Sequence, residues 1–331
     1  MAVSRSSDPP SLFEAARSGD RVALARLLSL LERGGSGSRA VAGLAYKSPG
    51  EAYSVGITGA PGAGKSTLTD RLIAVGRERG LDGAGQVGVL AIDPSSPFSG
   101  GAILGDRVRM QSHALDDGVF IRSMATRGHL GGLSVAVPDA VRVLSAVGMP
   151  VVIVETVGVG QQEIEVAAAT DTTVVVVNPG WGDAIQANKA GLLEIADLFV
   201  INKADRPHAA QTRRDLELML DLTEPGDWRP PIVETIASTG EGVDSLWEAI
   251  GRHRDHQLAG DRLAAVRRER LSRELRQIVA ARLEEQIGAL IASDRFTGVS
   301  EAMVRGDLDP YEAADRLLAG LPPDGRGPVA P

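Results

Sequence analysis

Gly59-Ala60-Pro61-Gly62-Ala63-Gly64-Lys65-Ser66-Thr67 follows a short apolar run, Tyr53-Ser54-Val55-Gly56-Ile57, and leads into Leu68-Thr69-Asp70-Arg71-Leu72-Ile73. The spacing G-x-x-x-x-G-K-S between a strand and a helix is that of a phosphate-binding loop. Glycines let successive backbone N–H groups approach a phosphate chain at angles that a side chain would forbid. The loop ends at a helix N-terminus, whose unpaired N–H groups and partial positive charge favour an anion. Lys65 is placed to reach the β- and γ-phosphates, and Ser66 to ligate Mg²⁺. The plainer alternative, a glycine-rich turn with an exposed lysine, leaves the whole flanking pattern unexplained.

Outward from this loop the chain alternates strand and helix signals. Val87–Ile92 is a continuous apolar run ending at Asp93-Pro94-Ser95-Ser96-Pro97. Val119–Arg122 is a third strand candidate, Pro138–Val147 a helix with its proline in the first turn, and Val151–Val154 runs into Glu155. Thr173–Val177 and Leu198–Ile201 are further buried strands, and Ile232–Ile236 is a last strand candidate ahead of a helix over Val243–Ile250. Uninterrupted apolar strands alternating with helices imply an α/β fold: a mostly parallel, doubly wound sheet covered on both faces. Ligands bind such sheets beyond the carboxyl ends of the strands, where the polar motifs of this chain fall.

Flanking segments divide the chain into 1–49, 50–256 and 257–331. Ser11–Leu31 has helical spacing, broken at Ser18-Gly19-Asp20 with Asp20 as N-cap, and Gly34–Ser38 reads as a stop and linker. From Gln257 to Ala292 an Arg/Glu/Leu-rich helix carries one apolar face, followed by a short helix over Pro310–Leu318. That face is covered either by its own domain or by a second copy of the chain.

Composition narrows the function. The 331 residues are 43% hydrophobic but only 3% aromatic, so the core is aliphatic. A net charge of −8 argues against general nucleic-acid binding. With no cysteine there is no disulfide, thiolate metal site or cysteine nucleophile, which fits the cytoplasm. The first twenty residues lack the apolar core of a secretory signal, and no apolar run approaches the ~20 residues of a membrane span. Of the four lysines, Lys65 and Lys203 fall in nucleotide motifs.

Asn202-Lys203-Ala204-Asp205 follows a buried strand and matches N-K-x-D, the guanine-reading signature of GTPases. The Asp205 carboxylate suits guanine N1–H and the exocyclic amine together, whereas adenine leaves it unpaired. Lys203 can lie along the ring, Asn202 fixes the loop, and Ala237-Ser238 falls where GTPases set a backbone amide on guanine O6. Alone, four residues are a weak signal; behind a phosphate loop they indicate GTP. Phosphoryl transfer further requires Mg²⁺ and a positioned water. Glu155 opens E-T-V-G, ending at Gly158, like the D-x-x-G element that holds Mg²⁺ through water and senses the γ-phosphate; glutamate replaces the usual aspartate. Asp93 and Asp106 are further candidates for the Mg²⁺ shell or for orienting water. Gln161 and Gln162 are too far from Gly158 to act as the adjacent water-positioning glutamine. One of Arg107, Arg109, Arg122 and Arg127 could neutralise phosphate charge.

Taken in order, the phosphate loop, Ala91–Met110 (A-I-D-P-S-S-P-F-S-G-G-A-I-L-G-D-R-V-R-M), Glu155–Glu163 (E-T-V-G-V-G-Q-Q-E), Asn178–Gly191 (N-P-G-W-G-D-A-I-Q-A-N-K-A-G) and N-K-A-D closely resemble the MeaB/ArgK-type GTPases associated with methylmalonyl-CoA mutase. The resemblance covers nearly the whole chain. It implies a P-loop GTPase that dimerises through its C-terminal helices, with Asp93 and Asp106 in a first switch, Glu155 to Gly158 in a second and Asn178 to Lys189 in a third facing the client. It also implies GTP hydrolysis to GDP and phosphate that gates cofactor delivery to an adenosylcobalamin-dependent acyl-CoA mutase. Two other readings compete: a kinase, after the family's older arginine-transport label, and a metal-delivery GTPase. The first leaves N-K-x-D unexplained, and the second lacks Cys/His ligands.

Overall fold

A computed structural model describes residues 8–81, 85–94, 111–113, 115–126, 132–156, 169–180, 194–222 and 226–319. Seven strands form one sheet: β1 (Tyr53–Gly59), β2 (Val87–Pro94), β3 (Val119–Thr126), β4 (Val151–Thr156), β5 (Thr172–Val177), β6 (Leu198–Asn202) and β7 (Ile232–Thr235). Their order is β3-β2-β4-β1-β5-β6-β7, and every neighbouring pair is parallel. The expected α/β sheet is therefore present, with β1 and its loop near the middle.

The two-residue period of each strand assigns the core. Val55, Ile57, Ile153, Val174, Val176, Leu198 and Val200 face helices α4 (Lys65–Arg79) and α7 (Val243–Leu258) through Leu68, Leu72, Leu246, Trp247 and Ile250. On the opposite face, Leu90, Ile92, Val152 and Val154 meet α1 (Pro9–Arg17), α2 (Arg21–Arg33), α3 (Gly35–Lys47) and α5 (Gly132–Ala146). Val175, Val177, Phe199 and Ile201 complete that face against α6 (Ala209–Asp221). The N-terminal helices thus share a core with the sheet, and Asp20 caps α2 by accepting from the N–H groups of Val22 and Ala23.

Three details differ from the sequence expectation. Gly35–Ser38 is not a linker but the first turn of α3. Val41 and Ala45 are buried there, and a Cβ at Gly37 would lie 3.3 Å from Leu30, so the bare glycine lets α3 approach α2 closely. Pro138 lies inside α5 instead of in its first turn. Burial of Val137, Ala140, Val143 and Leu144 against the sheet outweighs the ~3 kcal/mol that an interior proline costs. The last long helix does not run on from Gln257: Gly260 and Asp261 take positive φ (70° and 59°) and separate α7 from α8 (Arg262–Ile291).

The described chain forms two compact units, dividing at Arg270. Within the first, the early turns of α8 set Arg267 and Arg270 on the buried Asp171 carboxylate, at 2.7 Å and 3.1 Å, where the sheet's amino edge starts. In the second, α9 (Asp294–Val304) and α10 (Pro310–Leu318) pack together, while Leu275, Val279, Leu283 and Ile287 of α8 remain half-exposed. Among the described residues no helix is long and apolar enough to cross a membrane.

Candidate nucleotide site

Because the strands are parallel, Gly59, Glu155, Asn202 and Thr235 reach the same edge of the sheet. Four segments converge there. The phosphate loop leaves β1 and enters α4 through Gly64, which adopts φ 94° and ψ 24° and offers no side-chain cap. The first amides of α4 are thus left to an anion. A Cβ on Gly64 would stand 2.3 Å from Asn202 Nδ2, so any side chain here must displace Asn202, whereas Gly62 (φ 73°) faces open space.

Lys65 is buried, and its ammonium donates to the carbonyls of Gly59 (2.6 Å) and Ala60 (3.1 Å). Glu155 shares the strand face of Ile153, which points toward α4. Fully buried there, its Oε1 accepts from Ser66 Oγ at 2.6 Å. A hydroxyl and a carboxylate side by side are hard oxygen donors of the kind Mg²⁺ selects. Asp93 is the seventh residue of β2, in register with Ala125. Ala91 pairs with Glu155, so Asp93 lies one strand away and two residues further toward the same edge. Asp106, Gly158, Gln161, Gln162 and most of Asn178–Lys189 lie outside the described residues.

The Asn202–Asp205 turn and the segment after β7, expected to read the base, are tied to the phosphate loop. Asn202 Nδ2 donates to Ala63 O (2.8 Å), while its Oδ1 accepts from Thr235 Oγ1 and the Ala237 N–H, both at 3.1 Å. Lys203, at φ 60°, donates to Gly62 O at 2.6 Å, and Asp205 is exposed on the same turn. Ala237 is buried and Ser238 exposed after β7. Sequence reading missed Arg71, whose guanidinium donates to the carbonyls of Ala237 (3.2 Å) and Ser238 (3.0 Å). No sequence signal marks it beyond its place two turns into α4.

Arg122 does not serve the site: its guanidinium pairs with Glu32 and Ser29 of α2. Arg107, Arg109 and Arg127 lie outside the described residues. Among the described residues no group of three or more His, Asp or Glu side chains could hold a metal ion.

A family model described as methylmalonyl Co-A mutase-associated GTPase MeaB matches residues 24–291. The chain belongs to the MeaB family of GTPases. It is 49% identical over 311 residues to a Pyrococcus abyssi protein named as a putative GTPase, covering 93% of this chain and 95% of that one. It is 37% identical to the GTPase ArgK of Escherichia coli over 85% of each chain. With the mouse methylmalonic aciduria type A homolog it shares 33% identity over 80% of this chain and 65% of the relative. A solved structure described as an LAO/AO transport system kinase superposes with a TM-score of 0.70 at 28% identity, covering 96% of this chain and 99% of that one. The protein is a P-loop GTPase, as its loop and sheet indicated.

Proposed function

We propose that this GTPase is a Mg²⁺-dependent switch that hydrolyses GTP to GDP and phosphate while acting as chaperone and gatekeeper for an adenosylcobalamin-dependent mutase of the methylmalonyl-CoA type. The observation that carries the nucleotide reading is Asn202, which bonds the phosphate loop at Ala63 and the loop after β7 at Ala237. One side chain thereby fixes the spacing between a phosphate cradle and a base pocket. The mutase enters through the family's description.

In this reading the amides of Gly59–Thr67 and the first turn of α4 hold the phosphates. Lys65 turns its ammonium from the loop carbonyls toward the β- and γ-phosphates. Ser66 and Glu155 hold Mg²⁺, with Asp93 and Asp106 completing its water shell, and Gly158 senses the γ-phosphate. When bound, the metal neutralises phosphate charge. Asp205 accepts from guanine N1–H and its amine, Lys203 lies along the ring, and Ser238 meets O6. The half-exposed apolar residues of α8 suit a homodimer, and a chain without cysteine suits the cytoplasm. No nucleic-acid or membrane partner is part of this reading.

GTP and ATP hydrolysis should be measured with Mg²⁺, with and without the mutase. GTP-selective turnover that changes with the mutase supports both halves; selective turnover indifferent to it removes the client. Asp205→Asn should lower the preference for GTP over ATP at least tenfold. An undiminished preference would remove Asp205 from the base pocket.

A further inference from the structure

The loop between β7 and α7 is held from three sides. Ile236 bridges to Glu241 within the loop. The Ala237 N–H is taken by Asn202 Oδ1, and the Ala237 carbonyl by Arg71 Nε. A second nitrogen of the same guanidinium takes the Ser238 carbonyl. In a trans peptide, C=O and the following N–H point to opposite sides. Holding the Ala237 carbonyl toward α4 therefore aims the Ser238 N–H away from α4. Among the described residues no acceptor takes that N–H.

From this we infer that Arg71 is a positioning residue for base selectivity: it orients the Ala237–Ser238 peptide so that the Ser238 N–H donates to a purine carbonyl at C6. The inference rests on the proposed guanine pocket. It adds that the direction of the Ser238 N–H is set by the helix that carries the phosphate loop, through Arg71. Arg71 has a firm base for this role. Its helix is pinned to α7, because a Cβ on Gly76 would lie only 2.9 Å from the Trp247 ring, and Trp247 Nε1 donates to Gly80 O. Two parallel donors on a planar fork fix two carbonyls at once, which a single ammonium cannot reproduce. A 6-oxo purine accepts from the Ser238 N–H; adenine, with an amine at C6, presents a donor to a donor.

The test compares the affinities of wild type, Arg71→Ala and Arg71→Lys for GTP, ITP and ATP, with melting temperature alongside. ITP keeps the C6 carbonyl but lacks the amine read by Asp205. In Arg71→Ala the affinities for GTP and ITP should fall together by about tenfold, about 1.4 kcal/mol. ATP affinity and melting temperature should stay at wild-type values, and Arg71→Lys should recover part of the loss. An unchanged GTP:ATP ratio in Arg71→Ala overturns the role of Arg71 while leaving the base pocket intact. Parallel loss of all three nucleotides overturns it in favour of plain structural support. A wild type that binds ATP as well as GTP overturns the base pocket itself, and the inference with it.

Discussion

Ser66, the second residue of α4, donates its hydroxyl to Glu155 Oε1 at 2.6 Å, joining the phosphate-loop helix to the penultimate residue of β4 across the buried face of the sheet. A fully buried carboxylate is costly to desolvate, so its presence here calls for a compensating partner. Ser66 is one such partner, and a divalent cation would be a stronger one. Glu155→Gln should therefore lower Mg²⁺-dependent GTP turnover at least a hundredfold while changing GDP affinity less than tenfold. Turnover at wild-type level, at any Mg²⁺ concentration, would remove Glu155 from the reaction.

Gly62 and Gly64 separate two reasons for glycine in one loop. Both have positive φ, but only at Gly64 does a Cβ meet a neighbour, Asn202 Nδ2 at 2.3 Å. Gly62→Ala should cost only backbone strain, about 1–2 kcal/mol. Gly64→Ala should also displace Asn202 and with it the Ala63 and Ala237 contacts. Its loss of GTP affinity should exceed that of Gly62→Ala by at least tenfold, as read by titration calorimetry.

Asp171 is buried beneath Arg267 and Arg270. Burial pushes its pKa up, but the Arg267 hydrogen bond, the two guanidinium charges and the Ser54 N–H outweigh it and hold the carboxyl below the usual carboxylate range. A depressed pKa contributes stability that is complete above the unfolded value, ~3.9, and is lost as pH falls through the folded one. Asp171→Asn should cost about 3 kcal/mol at pH 7, the lower end for a broken buried pair because Arg267 keeps some water. The deficit should shrink as pH is lowered below 4 in chemical denaturation. A pH-independent deficit would show that the cost is packing, not charge.

His253 and Asp197 give opposed pH dependences. His253 Nε2 lies 3.3 Å from Asp197 Oδ1, and its Nδ1 is 2.8 Å from Thr172 Oγ1. Burial, then the nearby His256, lowers the His253 pKa to about 4, while burial raises Asp197 to about 7. Between pH 4 and 6.5 the unfolded chain carries one extra proton on the histidine, so that residue alone makes stability fall as pH drops. Over pH 4 to 7 the folded chain carries one extra proton on the aspartate, so that residue alone makes stability rise as pH drops. The two slopes nearly cancel in the wild type. Asp197→Asn should expose falling stability from pH 7 to 4, and His253→Gln the reverse. Equal slopes in both variants would refute these two pKa directions.

Sequence determined the elements whose signals are local. The phosphate loop was legible because G-x-x-x-x-G-K-S fixes a backbone path within nine residues, and the strands because buried parallel strands are uninterrupted apolar runs. N-K-x-D stands out in the sequence only through its position behind such a strand. What the sequence left undecided depends on residues far apart in the chain. Glycine-rich Gly35–Ser38 became helix because Val41 and Ala45 had a core to enter, and Pro138 lies within α5 because its neighbours are buried. Arg71 meets residues 166 and 167 positions later, and Arg267 meets Asp171 96 positions earlier. Neither pairing follows from local propensity or spacing, since each exists only once the parallel sheet has brought distant segments to a common edge.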